Sequence, residues 1–250
     1  MERKKFWQII ILLLVFIVSV SFPVGSLISD PLIQVIVESS ILAAFIVFAI
    51  IYINITGIAH FFQGKTSIKN TILLSPLFLV AFCNMFYITV IQDNPLPFDW
   101  SNATHLMMLL SSLLTAFAEE LVFRYIIQKN LRMRSKIGKI MIASAIFALC
   151  HIFTIVARWD LMHPESWNWF DISMIAYTFF VGVCLGFLYE YTNNIVLPIG
   201  FHFIFNMVND LWFPIQSWNT SYLINVLCFA SFGVAYICLF YFVFTKRENR

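Results

Sequence analysis

The sequence predicts an all-α fold: a polytopic membrane protein of about eight transmembrane helices, with both termini cytoplasmic. Three observations carry this reading. Hydrophobic residues make up 61% of the 250 and charged residues 11%, with a mean hydropathy of +0.86, far from the balance of a soluble domain. The apolar runs have the length of a bilayer crossing, which takes roughly 20 residues. The basic residues fall on one side of the resulting topology, as cytoplasmic loops require.

Taken in order, the predicted spans are residues 6–24, 32–56, 71–92, 106–128, 137–156, 172–189, 195–213 and 222–244. Arg3, Lys4 and Lys5 precede the first run, which is also how a secretory signal begins. The run is long for a signal core and no small-residue cleavage site clearly follows it, so it reads as a retained helix. Lys65 and Lys69 separate the second and third spans, and Asp93, Asp99 and Trp100 follow the third. The fourth contains Glu119, Glu120 and Arg124 and ends at a basic cluster of Lys129, Arg132, Arg134, Lys136 and Lys139. The fifth contains His151 and is followed by Arg158, Trp159, Asp160, Glu165, Trp167 and Trp169. The sixth carries Gly182-Val183-Cys184-Leu185-Gly186, a small-residue face suited to close helix packing. The seventh contains His202 and Asn206 and leads to Asp210, Trp212 and Trp218, and the eighth ends in Lys246, Arg247 and Arg250.

With the N-terminus inside, thirteen of the fifteen basic residues fall in inner segments; only Arg124, within a span, and Arg158 do not. The outer loops collect carboxylates and tryptophans, as an interfacial aromatic belt does. The net charge of +2 thus reflects orientation and points to no nucleic acid. The connecting loops are too short to hold a core, so residues 1–250 are predicted to form a single transmembrane domain. No internal repeat of the kind common in transporters is visible. Cys83, Cys150, Cys184, Cys228 and Cys238 lie in apolar runs without metal-ligand spacing and read as packing residues. A Cys150/His151 nucleophile pair is disfavoured because adjacent helical side chains diverge by about 100°. His60, His105 and His163 sit near helix ends or in loops and are assigned no role.

Three pairs spaced four residues apart stand out in these runs: Glu120 with Arg124, Phe147 with His151, and His202 with Asn206. Ionisable groups are costly in a bilayer and mark functional sites there. Counting from the cytoplasmic ends, Glu119, His151 and His202 all lie roughly 12 to 18 Å above the inner boundary. Residues four apart share a helix face, so Arg124 can neutralise Glu120, leaving Glu119, about 100° away, for acid/base work. His151 could orient a water with it or bind a metal. His202 and Asn206 supply donors of the kind that stabilise a tetrahedral oxyanion. Taken singly, each pair also has a structural reading as an ion pair or an interhelical hydrogen bond.

Glu119-Glu120-Leu121-Val122-Phe123-Arg124 resembles the EExxxR motif of the CAAX prenyl protease and bacteriocin-processing (CPBP, or Abi) family of intramembrane endopeptidases. Phe147-Ala148-Leu149-Cys150-His151 is similar to its FxxxH motif, and His202-Phe203-Ile204-Phe205-Asn206 to its HxxxN motif. The motifs come in the family's order, within a family-like core of about residues 106–213. The resemblance implies that Glu119 and His151 activate the hydrolytic water and that His202 and Asn206 form the oxyanion hole. Glu120 and Arg124, with Phe147 covering His151, would hold the site together. Zinc bound by Glu119, His151 and His202 stays open, although no HExxH arrangement accompanies these residues.

The expected partners are the lipid bilayer and a peptide or membrane-protein substrate at the cell membrane. The resemblance to small bacterial members favours bacteriocin or pheromone processing, or self-immunity, over prenyl-protein maturation. Two other classes compete: a non-proteolytic scaffold or immunity protein of the same fold, and a proton- or ion-coupled transporter.

Overall fold

A computed structural model describes residues 3–22, 24–57, 101–158 and 169–212. All regular structure among the described residues is helical. The chain runs through α1 (Arg3–Ser21), a single turn α2 (Val24–Leu27), α3 (Pro31–Thr56), α4 (Ala103–Glu120), a π-helical segment (Leu121–Gln128), α5 (Lys136–Arg158), α6 (Trp169–Thr192) and α7 (Val196–Trp212). The predicted spans 71–92 and 222–244 lie outside the described residues, as do Cys83, Cys228, Cys238, His60 and His163.

The helix ends follow from local chemistry. Asp30 caps α3, its carboxylate accepting from the amides of Leu32 and Ile33 at 2.8 and 3.1 Å, with Pro31 at the first position, where no amide donor is needed. Gly57 ends the helix in the left-handed conformation at φ 62°, which suits a residue without a Cβ. Asn102 caps α4 through the Thr104 amide at 2.9 Å. Asn193, at φ 48°, turns the chain out of α6. Asn194 then accepts from the Val196 amide at 3.0 Å to start α7, so α6 and α7 are joined by a tight turn.

Five helices among the described residues are long and apolar enough to cross a membrane: Lys4–Ser21, Pro31–Thr56, Ala103–Gln128, Lys136–Phe153 and Ile175–Thr192. Val196–Met207 is a shorter apolar helix. Their outward faces carry large apolar side chains such as Val18, Val47, Ile55 and Leu149, the surface of a body solvated by lipid. The chain is a multi-pass membrane protein.

Helix α4 lies between α3 and α7, while α5 packs along α6 and the π segment, and α1 rests on α3 and the π segment. One apolar core joins Leu12, Phe16, Phe45, Ile53, Phe123 and Phe147 from α1, α3, the π segment and α5. A second joins Ile140 to Val181, Leu185 and Phe187 of α6 and to Phe205 of α7. The polar cluster lies where these layers meet.

The π segment was not expected, because a single span is predicted over residues 106–128. Lys129 donates its amide to the carbonyl of Arg124, five residues earlier, and every residue of Leu121–Gln128 is buried. The wider turn of a π-helix brings residues four apart closer to eclipsed than an α-turn does, and such bulges concentrate at functional sites. Here it stacks Glu120, Arg124 and Gln128 above one another on one face.

Candidate active site

Helix α4 delivers Glu119 and Glu120, both buried, from its last turn. The π segment places Arg124 beneath them, where its Nε donates to Glu120 Oε2 at 3.2 Å with both side chains fully out of contact with solvent. Such a pair is held by geometry: stripping one partner leaves an uncompensated buried charge, which costs about 3 to 5 kcal/mol. The guanidinium also lies over the Phe147 ring, 5.2 Å from its centroid, a cation–π contact that partly replaces lost hydration.

His202 arrives from α7 and meets both carboxylates. Its Nδ1 is 2.9 Å from Glu120 Oε1 and its Nε2 is 3.4 Å from Glu119 Oε2. A carboxylate only accepts, so a ring facing one on each side satisfies both when both nitrogens carry protons. The result is a chain of contacts, Arg124 to Glu120 to His202 to Glu119, running from the π segment to α7 and back to α4.

His151 lies on α5, with Nδ1 3.0 Å from the carbonyl of Phe147. A carbonyl cannot donate, so Nδ1 carries the proton and, in the neutral ring, Nε2 carries the lone pair. The Phe147 ring contacts both His151 and His202, so His151 shares the locality of the glutamates. Phe147 organises the aromatic wall: its ring centroid is 4.9 Å from those of Phe123 and His151 and 6.1 Å from that of His202, all edge-on.

Six of the seven residues singled out in the sequence are therefore gathered around one locus: Glu119, Glu120, Arg124, Phe147, His151 and His202. Asn206 follows His202 by about one turn of α7 and is partly buried. The expected pairing of Glu120 with Arg124 is present. The bridging of both glutamates by His202 was not foreseen, since residues 82 apart in sequence carry no spacing signal. Gly182 was expected only to permit helix packing. A Cβ there would sit 3.0 Å from Phe147 Cδ1, 3.1 Å from Ser144 Cβ and 3.3 Å from Arg124 Nη2, so it also makes room for the buried guanidinium.

No three His, Cys, Asp or Glu side chains among the described residues form a metal-holding group. The Nδ1 of His202 faces Glu120 and that of His151 faces a carbonyl, the pairing that leaves Nε2 of each ring as the nitrogen a metal would take.

Residues 101–208, from the start of α4 into α7, match the family model of Rce1-like type II CAAX prenyl endopeptidases. Over that segment the chain is similar to the Rce1-like family. The matched segment contains every residue of the cluster just described. Uncharacterized protein YpbD of Bacillus subtilis (strain 168) is 32% identical over 111 residues, which is 44% of this chain and 47% of that protein. The match thus spans about half the length of the curated relative. No solved structure matches the chain.

Proposed function

We propose that the protein is an intramembrane endopeptidase that cleaves a peptide bond in a membrane-borne peptide or protein. One observation carries this reading. Of two adjacent buried glutamates, Glu120 is engaged by both Arg124 and His202 Nδ1, whereas Glu119 faces His202 Nε2 at a looser 3.4 Å, with His151 nearby. One carboxylate builds the site and the other is placed for chemistry.

In the proposed reaction, Glu119 takes a proton from a water that His151 Nε2 helps orient. The water oxygen bonds to the substrate carbonyl carbon, and the carbonyl π electrons move to its oxygen. The Nε2–H of His202, fixed by the Glu120 anchor at Nδ1, and the side-chain amide of Asn206 donate to that oxyanion. As the tetrahedral species collapses, the C–N bond breaks and the amine leaves with the proton held by Glu119. Every proton and electron pair in this scheme is accounted for by the chain, the water and the substrate.

The family's description names a prenylated CAAX substrate for its members. For this chain the substrate class is an apolar peptide or protein tail presented from the bilayer, with bacteriocin or pheromone leaders and prenylated tails as the members to try. Purified protein in liposomes should cleave a quenched fluorescent peptide from such a panel, and Glu119→Gln, which keeps the shape and removes the base, should lose at least about a hundredfold in rate. Native-rate cleavage by Glu119→Gln would refute the assignment. Ion flux that survives Glu119→Ala, with no peptide cleaved, would replace it with transport.

A further inference from the structure

On the side of Arg124 away from Glu120, several buried polar atoms find no partner among the described residues: Nη1 and Nη2 of Arg124, Oγ of Ser144 and Oε1 of Gln128. All three residues are completely buried. Leaving such groups unpaired costs on the order of 1 to 3 kcal/mol each, more for a charged one, and a guanidinium cannot escape by losing its proton. The atoms are neighbours under one face of α6. The Cβ position of Gly182 is 3.1 Å from Ser144 Cβ and 3.3 Å from Arg124 Nη2, and that of Gly186, one turn on, is 3.0 Å from Gln128 Oε1.

We propose that Arg124, Ser144 and Gln128 hold ordered internal water, forming a hydrated file that links Glu190 at the end of α6 to the Glu119–Glu120–His202 cluster. The donor and acceptor types select the ligand. Nη1 and Nη2 need an acceptor, Gln128 Oε1 needs a donor, and the Ser144 hydroxyl can serve as either. Water satisfies all of them, and buried waters typically make about three such bonds. An anion cannot donate to Gln128 Oε1. It would also enter a cluster in which Glu120 already opposes Arg124 at 3.2 Å and Glu119 adds a second carboxylate.

The file has an outlet. Gln128 Nε2 donates to the Gly186 carbonyl at 3.0 Å and to Glu190 Oε2 at 3.3 Å, and Glu190 is partly exposed. Polar side chains thus succeed one another from Glu190 on α6 to Gln128, Arg124 and Glu120 along one face of the π segment and the end of α4. A hydrolase in a bilayer consumes one water per bond cleaved. The role of the file as a supply route rests on the proposed activity, whereas the hydration itself does not.

Hydroxyl-radical footprinting of the full chain in lipid nanodiscs, read by mass spectrometry, tests this. Cys184 is buried on α6 between Gly182 and Gly186, so radicals formed from water in the file should oxidise it. Cys150, near Glu119, reports on the cluster itself. In Gly182→Ala the added methyl crowds Arg124 and Ser144, and labelling of Cys184 should fall severalfold while that of Cys150 holds. Ser144→Val, which fills the same space from α5, should do likewise if the glycine variant does not fold. A silent Cys184 in the native protein, or equal labelling in both variants, overturns the file. So does an anomalous bromide peak against Arg124 Nη in soaked crystals. Peptide cleavage with Cys184 silent removes the file and leaves the protease, whereas labelling without any cleavage removes the protease and leaves the file.

Discussion

Arg124 shows what a single residue can set in a low-dielectric interior. It is among the largest completely buried side chains, and its ion pair with Glu120 has no solvent to fall back on. Arg124→Met should therefore destabilise the protein by about 3 to 5 kcal/mol, seen as an early thermal transition in detergent. Glu120→Gln combined with Arg124→Met removes both charges and should recover most of that loss. Arg124→Lys should not substitute, because an ammonium lacks both the Nε–H that donates to Glu120 and the flat plane that lies over Phe147. The motif spacing made the Glu120–Arg124 contact legible beforehand. It could not reveal that His202 reaches across to both glutamates, since contacts between distant helices leave no periodic trace.

At the level of elements, the π segment and α6 are matched. Gly182 faces Arg124 and Gly186 faces Gln128, so two glycines one turn apart receive two long polar side chains one turn apart. A methyl at Gly186 would lie 2.9 Å from Ile140 Cγ2, and Gly186→Ala should cost about 1 to 3 kcal/mol from overpacking, measurable by the same thermal transition. Deleting one residue within Leu121–Gln128 to restore an α-helical register should turn Gln128 about 100° from its present face. It should also separate Gln128 from Gly186 and abolish peptide cleavage; retained cleavage would show that the wide turn is dispensable. The lengths of the apolar runs predicted the six spans that fall on described residues to within a few residues at their ends. The π segment escaped prediction because its apolar pattern is that of any buried helix, and only the backbone hydrogen bonds distinguish it.

For the whole molecule, the charge asymmetry is the main topological information. If inner loops hold thirteen of fifteen basic residues, a cysteine placed at Lys136 should react with an impermeant reagent from the cytoplasmic side only, and one at Asn102 from the opposite side only. The reverse pattern would invert the orientation. Peptide cleavage should persist in excess EDTA if Glu119 activates the water as proposed; loss of cleavage restored by zinc would contradict the metal-free scheme. The three motifs announced which residues to gather, and their common depth made gathering plausible. The lateral arrangement came only with packing, because α4 lies against α7 and α5 lies against the π segment. That arrangement has a practical consequence for anyone studying the protein. The bonds that join Glu119 and Glu120 to His202 are also what rivets α7 onto α4, so a variant that truncates any of these side chains is a loosened protein as well as an inactive one. Comparisons that treat it as an inert twin will confuse lost chemistry with lost architecture, and Asn206→Ala, which leaves those rivets in place, is the better blank.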